Sequence, residues 1–253
     1  MDVPGCRWPG APAELEALQR ELAAAADEVE PWLPPGGEAA RATAGAAGRP
    51  DTAAIRGLAV AAACAAFPRG EGGPGEAGQA VVAAAVLWRD GQVVGEHVVC
   101  GLSGGPYAAG LLALRCGPLL EAAVSGLARR PDLVMVDATG RDHPRRAGLA
   151  LHLGACLGLP SIGVTNRVLE AGFDEPGEAR GSTAPLLRDG EVIGYAVRTR
   201  AGVHPVLAHA GWRTSSQLSR DLVLALAGRW RTPSPLRAAR TLERTARALS
   251  GGA

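Results

Sequence analysis

The sequence predicts an α/β fold, with a mixed sheet and flanking helices forming a single domain. Three observations predict it: a length of 253 residues, 47% hydrophobic content beside 20% charged residues, and short apolar runs that give way to helical patterns. A chain of this length and composition can bury one large core. Apolar runs bounded by Gly, Pro and charged residues are typical of strands.

The first elements are a helix and three strands. Leucines recur at helical spacing among charged side chains at 12–30, which indicates an amphipathic helix, and a linker rich in Pro and Gly follows it. Apolar runs at 55–67 and 80–88 predict two buried strands. A third strand follows the Asp-Gly turn signal at 90–91.

Helices and strands then alternate. The patterns predict a helix at 109–128, a strand at 131–137, a helix at 143–158 and a strand at 159–165. The order of three strands followed by α-β-α-β is typical of a ribonuclease-H-like sheet, in which carboxylates from the first and fourth strands meet near one edge. Strand order alone leaves other α/β folds open.

The last third of the chain predicts a hairpin and a basic helix. Residues 190–199 and 205–210 are interpreted as a hairpin over the site. The C-terminal arginines at helical spacing favour a solvated helix face over a helix that tracks phosphates; these are Arg237, Arg240, Arg244 and Arg247. The predicted division is an N-terminal helix and linker (1–50), the main domain (51–232) and a basic C-terminal tail (233–253).

Charge and cysteine content restrict the function classes. The formal net charge is +1 and every basic side chain is Arg, so any nucleic-acid surface must be a local patch. Neither a disulfide framework nor a zinc site is predicted, because the five cysteines are odd in number and widely spread. The chain shows no secretion signal and no apolar stretch of about 18 residues. We expect a cytoplasmic, monomeric protein with no membrane partner.

Three runs carry the chemistry. Asp137 ends an apolar run in VMVDATG, HPRR follows at 143–146, and PYAAGLLALR occupies 106–115. Together they resemble the endonuclease V family, whose members cut a nucleic acid strand near inosine, a deaminated adenine. The resemblance implies a metal-dependent hydrolase of deaminated-base repair, with Mg²⁺ as cofactor and inosine-containing DNA or RNA as partner.

The resemblance assigns roles around the fourth strand. Asp137 is implied as a metal ligand and, with His143, as a catalytic residue. Gly140 would keep the backbone open, and Arg145 would lie close to the scissile phosphate. An ordinary Asp that caps a loop at a strand end is the alternative for Asp137.

The loop before the second predicted helix is implied to be a wedge that enters the duplex. Pro106, Tyr107, Gly110 and Leu111 match it, and Tyr107 would stack where the damaged base is extracted. Ala109 replaces a second Pro, so we expect a looser wedge because a fixed φ is lost. A purely structural Pro-Tyr turn is the alternative.

Four positions depart from the family pattern. The substituted residues are Ala59 for a first-strand Asp, Cys116 for a helix Glu, Asn166 for a Lys and Trp212 for a His. His209 could stand in for the missing His, and Cys116 could be a thiolate with His143 as base, although a small apolar role for Cys116 is favoured.

The leading hypothesis is therefore an endonuclease V-like nucleic-acid-binding protein with little or no cleavage activity. An alternative is an active deoxyinosine 3′-endonuclease that cuts the second phosphodiester 3′ to the lesion, which needs Glu71 or Glu76 beside Asp137. A third hypothesis is a non-catalytic interaction protein on the same scaffold.

Overall fold

The computed structural model describes residues 6–35, 55, 57–67 and 75–250. The helices are α1 (Pro12–Glu28), α2 (Leu112–Ser125), α3 (Leu149–Leu157), α4 (Ser216–Leu226) and α5 (Ser234–Ser250). The strands are β1 (Val60–Ala66), β2 (Ala80–Arg89), β3 (Gln92–Leu102), β4 (Leu133–Val136), β5 (Ser161–Thr165), β6 (Thr183–Arg188), β7 (Glu191–Val197) and β8 (Val206–Ala210).

The strands form one mixed sheet in the order β3-β2-β1-β4-β5-β8-β7-β6. β1, β4 and β5 are parallel neighbours, and the other pairs are antiparallel. The predicted fold class is confirmed: a ribonuclease-H-like single domain with helices flanking the sheet.

Helices cover both faces of β1, and small side chains make this possible. Ala61 and Ala63 face a core that contains residues of α2 and α3. Cys64 and its alternate neighbours along the strand face a second core, to which α4 and α5 contribute. Both faces of β1 are thus buried, as is typical of a strand with helices on both sides.

The third predicted helix begins later than the sequence indicated. The helix was predicted from residue 143, whereas α3 begins at Leu149. Arg146 takes a left-handed backbone conformation with φ of 58°, and Gly148 precedes the helix in an extended one. HPRR is therefore a loop, held by the Arg188 guanidinium, which donates to the carbonyls of His143 and Pro144.

The predicted late hairpin exists but extends the sheet. β7 and β8 pair antiparallel, and β8 also pairs with β5. β6, which the sequence did not predict, completes this end of the sheet. The hairpin therefore supports the site from within the sheet and does not lie over it.

The segment predicted as a basic tail is α5, and it packs on the sheet. Leu236 and Ala239 are fully buried in the core that contains β1. One face of α5 is thus covered, and arginines on its flank reach the sheet edge. The predicted boundaries at 50 and 232 remain predictions.

The cysteine prediction was wrong in one respect. Cys6 and Cys156 form a disulfide between the segment before α1 and the end of α3. Their sequence separation of 150 carries no spacing signal, so only the fold shows that they meet. Among the described residues, no helix is long and apolar enough to cross a membrane.

Candidate functional site

A pocket of about 220 Å³ lies where β4 and β5 end. It is smaller than the roughly 300–1,000 Å³ of drug-sized ligand sites. Four of the predicted site residues line it together: Tyr107, Gly110, Asp137 and His143. The sequence therefore predicted the location of the pocket.

Asp137 is paired with an arginine. Arg240 of α5 donates from Nε to Oδ2 at 2.7 Å and from Nη2 to Oδ1 at 2.6 Å, so both carboxylate oxygens are engaged. Each side chain is 29% exposed. Paired donors from a planar guanidinium are the strong form of this interaction. The sequence showed Arg240 on a basic helix face but not that this face meets Asp137.

The β1 residues beside Asp137 are Ala63 and Cys64. The Asp137 amide donates to the Ala63 carbonyl at 3.0 Å, and Ala63 pairs in register with Val136. Burial raises the pKa of the Cys64 thiol well above its usual range, and the Asp137 charge raises it further. Burial and the neighbouring carboxylate therefore disfavour a thiolate at this position.

The prediction that Ala59 stands where the family has a first-strand Asp was wrong. Ala59 exchanges hydrogen bonds with Asp132, before the start of β4. It lies roughly 13 Å along the strand from Ala63 at about 3.3 Å per residue. The predicted position was wrong because β1 is apolar and has no acidic residue that would fix its alignment. The prediction that β1 contains no carboxylate is unchanged.

Cys116 is an interior residue of α2. It is 2% exposed, and its Sγ donates to the Leu112 carbonyl at 3.6 Å. Burial raises the pKa of its thiol to about 12, and the adjacent Arg115 charge opposes this only in part. The hypothesis of a reactive thiolate is wrong, and the apolar role is confirmed.

The carbonyl of Gly110 joins three elements. It accepts hydrogen bonds from Gln19 Nε2 at 3.0 Å, His143 Nε2 at 2.9 Å and Arg145 Nη2 at 3.1 Å. Gly110 itself has φ of 77°, which favours glycine. The expected looseness from Ala109 is thus opposed, because α1 and the HPRR loop both hold this end of the wedge.

His143 has no free ring nitrogen. Nδ1 accepts from the Arg145 amide at 3.2 Å, so Nε2 carries the proton that it donates to Gly110. Burial lowers the pKa of His143 to about 4, and the charges of Arg145 and Arg188 add to the effect. In this arrangement the imidazole is neutral and positions the wedge, which differs from the predicted catalytic role.

Arg145 is engaged by α1 and by the wedge. Its Nε donates to Gln19 Oε1 at 2.6 Å, and its Nη1 lies 3.5 Å from Glu16 Oε1. Its side chain is 17% exposed. The guanidinium therefore ties α1 to the wedge, and Gln19 is a site residue that the sequence did not reveal.

Tyr107 is available to a ligand. It is 53% exposed, and its amide donates to the Gly75 carbonyl at 2.9 Å. Pro106 before it is exposed, whereas Leu111 is half-buried against the core. The backbone is fixed while the ring remains in solvent, as a stacking residue requires.

Gly140 has a packing role. It is buried, and a Cβ there would collide with the carbonyl oxygen of Ala210. The strand ends of β4 and β8 can approach because no side chain intervenes. The absence of a side chain at Gly140 thus serves packing between strand ends, and its predicted role towards substrate stays a prediction.

The other two substituted positions, Asn166 and Trp212, lie at the surface and in the core. Asn166 is exposed beyond β5. Trp212 is 3% exposed in a cluster with residues of α1 and α3, away from the pocket. His209 is fully buried, and its Nε2 donates to Thr165 Oγ1 at 2.7 Å, because the hydroxyl proton goes to the Arg167 carbonyl. Burial lowers the pKa of His209 to about 4, so it does not replace the missing His.

Asp142 holds the backbone of a segment that lines the pocket. It is fully buried and accepts three backbone N–H groups at 2.8–2.9 Å, those of Leu169, Glu170 and Ala171. Leu169 lines the pocket. A polar residue between Arg141 and His143 gave no sequence signal of this role.

Comparison with known proteins identifies the family of this chain. The sequence model of the Endonuclease V family matches residues 59–241. The chain belongs to this family. Endonuclease V of Streptomyces avermitilis is 37% identical over 241 residues, 94% of this chain and 93% of that protein. Endonuclease V of Nocardia farcinica is 47% identical over 148 residues, 58% of this chain and 65% of that protein.

Solved structures of the family share the fold. The crystal structure of Endonuclease V from S. avermitilis has a TM-score of 0.77 at 33% identity, covering 96% of each chain. The catalytic domain of human Endonuclease V has a TM-score of 0.74 at 26% identity, covering 96% of this chain and 99% of that one. The predicted family resemblance is confirmed.

Members of the family generally depend on a metal, and the residues around Asp137 do not fit one. A divalent ion such as Mg²⁺ takes oxygen ligands, usually from one or two carboxylates with waters and phosphate. Asp137 is engaged by Arg240, and Cys64 of β1 offers sulfur where Mg²⁺ takes oxygen. In the described part of the chain, no group of three His, Cys, Asp or Glu side chains that could share an ion includes Asp137.

Proposed function

We propose that this protein binds inosine-containing nucleic acid in the pocket beside Tyr107 and cleaves it little or not at all. The observation that carries the proposal is the bidentate pair between Arg240 and Asp137. The guanidinium puts a fixed positive charge where a metal ion would need the carboxylate oxygens.

A metal ion would have to displace this cation. It would then be left with one carboxylate, because β1 offers Ala63 and Cys64 and α2 offers Cys116. Loss of a metal carboxylate commonly costs several kcal/mol of transition-state stabilisation, on the order of 10³-fold in rate. Two missing carboxylates and an occupied third favour a protein without measurable cleavage.

The binding half of the proposal rests on the other side of the pocket. Tyr107 is exposed on a loop whose Gly110 carbonyl is held by three donors. Stacking of a base on an aromatic ring contributes about 1–3 kcal/mol. An immobilised loop with a free aromatic ring suits an extruded base, since little order has to be created on binding.

A related protein indicates the ligand class. Endonuclease V of Ciona intestinalis, which has the same fold at 20% identity, was crystallised in complex with a 24mer DNA containing an inosine. We propose the same class of ligand for this chain on the strength of its own pocket and its family. We also propose that it acts as a monomer in the cytoplasm.

The test combines binding with cleavage. Labelled single- and double-stranded DNA and RNA, each with inosine or adenine at one position, are titrated at low and moderate salt and followed by fluorescence anisotropy. The same substrates are incubated with Mg²⁺ or Mn²⁺ and separated on denaturing gels. We expect inosine-dependent binding without nicking.

The other outcomes identify the alternatives. Nicking at the second phosphodiester 3′ to inosine shows an active deoxyinosine 3′-endonuclease with a rearranged site. Glu76 is exposed and is not among the residues that line the pocket with Asp137, and Glu71 lies outside the described residues. No binding at low salt would support an interaction protein without a nucleic-acid role.

A further inference from the structure

A second cluster of reactive side chains lies on the far side of α3 from the sheet. Cys6 of the segment before α1 meets His152 and Cys156 of α3, and one ligand atom from each lies within 4.8 Å of the others. His152 and Cys156 are four residues apart on one helix, so they share a face. The two cysteines are joined as a disulfide.

The disulfide accounts for the two sulfurs but not for the imidazole. His152 is fully buried, and its Nε2 lies 3.0 Å from the Arg7 carbonyl. A carbonyl oxygen only accepts, so Nε2 carries the proton and Nδ1 keeps its lone pair. Nδ1 is buried with no hydrogen-bond partner. An unpaired buried acceptor costs about 1–3 kcal/mol, which calls for an explanation.

The ring is held as a metal ligand is held. Metal-binding imidazoles almost always donate their other N–H to a carbonyl or carboxylate, which fixes the tautomer. Trp8 stacks on the ring at 4.2 Å between centroids, and its indole N–H donates to Glu121. Two neighbouring residues, Arg7 and Trp8, therefore fix the His152 ring, one at Nε2 and the other at its face, and leave Nδ1 for a ligand.

We propose that the reduced form of this cluster binds one thiophilic divalent ion, of the class of Zn²⁺, through Cys6 Sγ, Cys156 Sγ and His152 Nδ1. A dithiol reductant first breaks the S–S bond by exchange; it becomes a disulfide and leaves two thiols. Metal binding then releases both thiol protons. Two thiolates balance the charge of the ion, and a tetrahedral site keeps its fourth position for water.

The position of the cluster determines both its access to solvent and its effect on the N-terminal segment. Cys6 and Cys156 are half-buried, so a reductant and an ion can reach them from solvent. Either the disulfide or the ion ties the segment before α1 to α3, and α1 carries Gln19 to the pocket. The cluster is thus an alternative metal or disulfide clasp for the N-terminal segment.

Cobalt tests the site without any assay of activity. The full-length protein is reduced, freed of metal and titrated with Co²⁺, whose bonds to thiolate absorb in the near ultraviolet. We expect one ion per chain in the reduced protein and none in the oxidised protein. A reduced protein that binds no Co²⁺, or an oxidised protein that binds it equally well, would overturn the proposal.

Matched variants locate the ion. Loss of a residue that hydrogen-bonds a metal ligand costs roughly 10- to 100-fold in metal affinity, and we expect Cys6→Ser and Cys156→Ser to weaken Co²⁺ binding by more than that. Cys100→Ser, at an exposed free cysteine, is the control and should bind Co²⁺ normally. His152→Gln should lose affinity as well. If that variant does not fold, the half-buried Cys6→Ser still decides, because a wild-type spectrum in it contradicts the assignment.

Discussion

The two sides of the pocket use their polar groups differently. On the wedge side, the side chains of Gln19, His143 and Arg145 bond to protein backbone or to one another and leave the Tyr107 ring free. On the carboxylate side, Arg240 takes up both oxygens of Asp137. The wedge therefore keeps its shape through hydrogen bonds to backbone, whereas the Asp137 carboxylate is committed to a cation of the chain itself.

The largest expected effect concerns pH and the buried histidines. His143, His152 and His209 have pKa values lowered from 6.5 to about 4 by burial, so the unfolded chain binds more protons between these values. Stability is therefore full above pH 6.5 and falls towards pH 4, by on the order of 3 kcal/mol for each histidine. Urea unfolding at a series of pH values measures the slope.

Variants assign that slope. His143→Gln and His209→Gln should each flatten the loss of stability on acidification, whatever their stability at neutral pH. His204→Gln, at an exposed position, is the matched control and should keep the wild-type slope. Equal slopes in all of these proteins would show that the wedge is not held by a neutral His143.

The next effect concerns the support below the pocket. Asp142→Ala leaves three backbone N–H groups without their acceptor and should lower the free energy of unfolding by about 3 kcal/mol. Asp142→Asn retains one carbonyl oxygen and should lose less. Thermal and urea unfolding measure both, and an Ala variant as stable as the Asn variant argues against the hydrogen bonds as the cause.

Removal of the aromatic ring sharpens the binding half of the comparison. Tyr107→Ala should weaken binding of an inosine oligonucleotide by about 1–3 kcal/mol, roughly 5- to 150-fold in Kd. Tyr107→Phe keeps the ring and should bind nearly as the wild type does. Anisotropy titration at fixed salt compares them, and wild-type affinity in the Ala variant would remove Tyr107 from the interface.

The smallest effect is expected at the ion pair itself. Arg240→Gln should cost about 1 kcal/mol of stability, since the pair is partly exposed, and the difference should shrink at high salt. Arg244→Gln, on the exposed flank of the same helix, is the control. Cleavage should not appear in the Arg240 variant, because the other carboxylates are still missing; its appearance would mean that Arg240 alone blocks the reaction.

Much of the fold could be predicted from the sequence. Apolar runs and turn signals located β1 to β5 and the two helices between them, because both depend on local patterning. β6 was missed, since its run TAPLLR is short and contains a Pro. HPRR was taken into a helix, since nothing local announced the left-handed backbone at Arg146.

The parts of the site that are contiguous in sequence could be predicted, whereas the contacts that only folding brings together could not. The wedge and Asp137 are contiguous motifs, and the structure brings them to one pocket. Arg240 lies 103 residues from Asp137, and only the packing of α5 on β1 brings them together. Ala59 was predicted to stand where the family has an Asp, whereas Ala63 is the residue in register with Val136, next to Asp137. An all-apolar strand leaves its register unmarked in sequence.

Single-turnover cleavage tests the central claim most directly. Protein in excess over inosine-containing DNA or RNA is incubated with Mg²⁺ or Mn²⁺, beside Endonuclease V of S. avermitilis and an adenine control substrate. We expect nicking at the second phosphodiester 3′ to inosine to be at least about 10³-fold slower than with the relative, although the substrate is bound. Metal-dependent nicking at that bond at a comparable rate would contradict the account, since it would require an ion beside Asp137 despite Arg240.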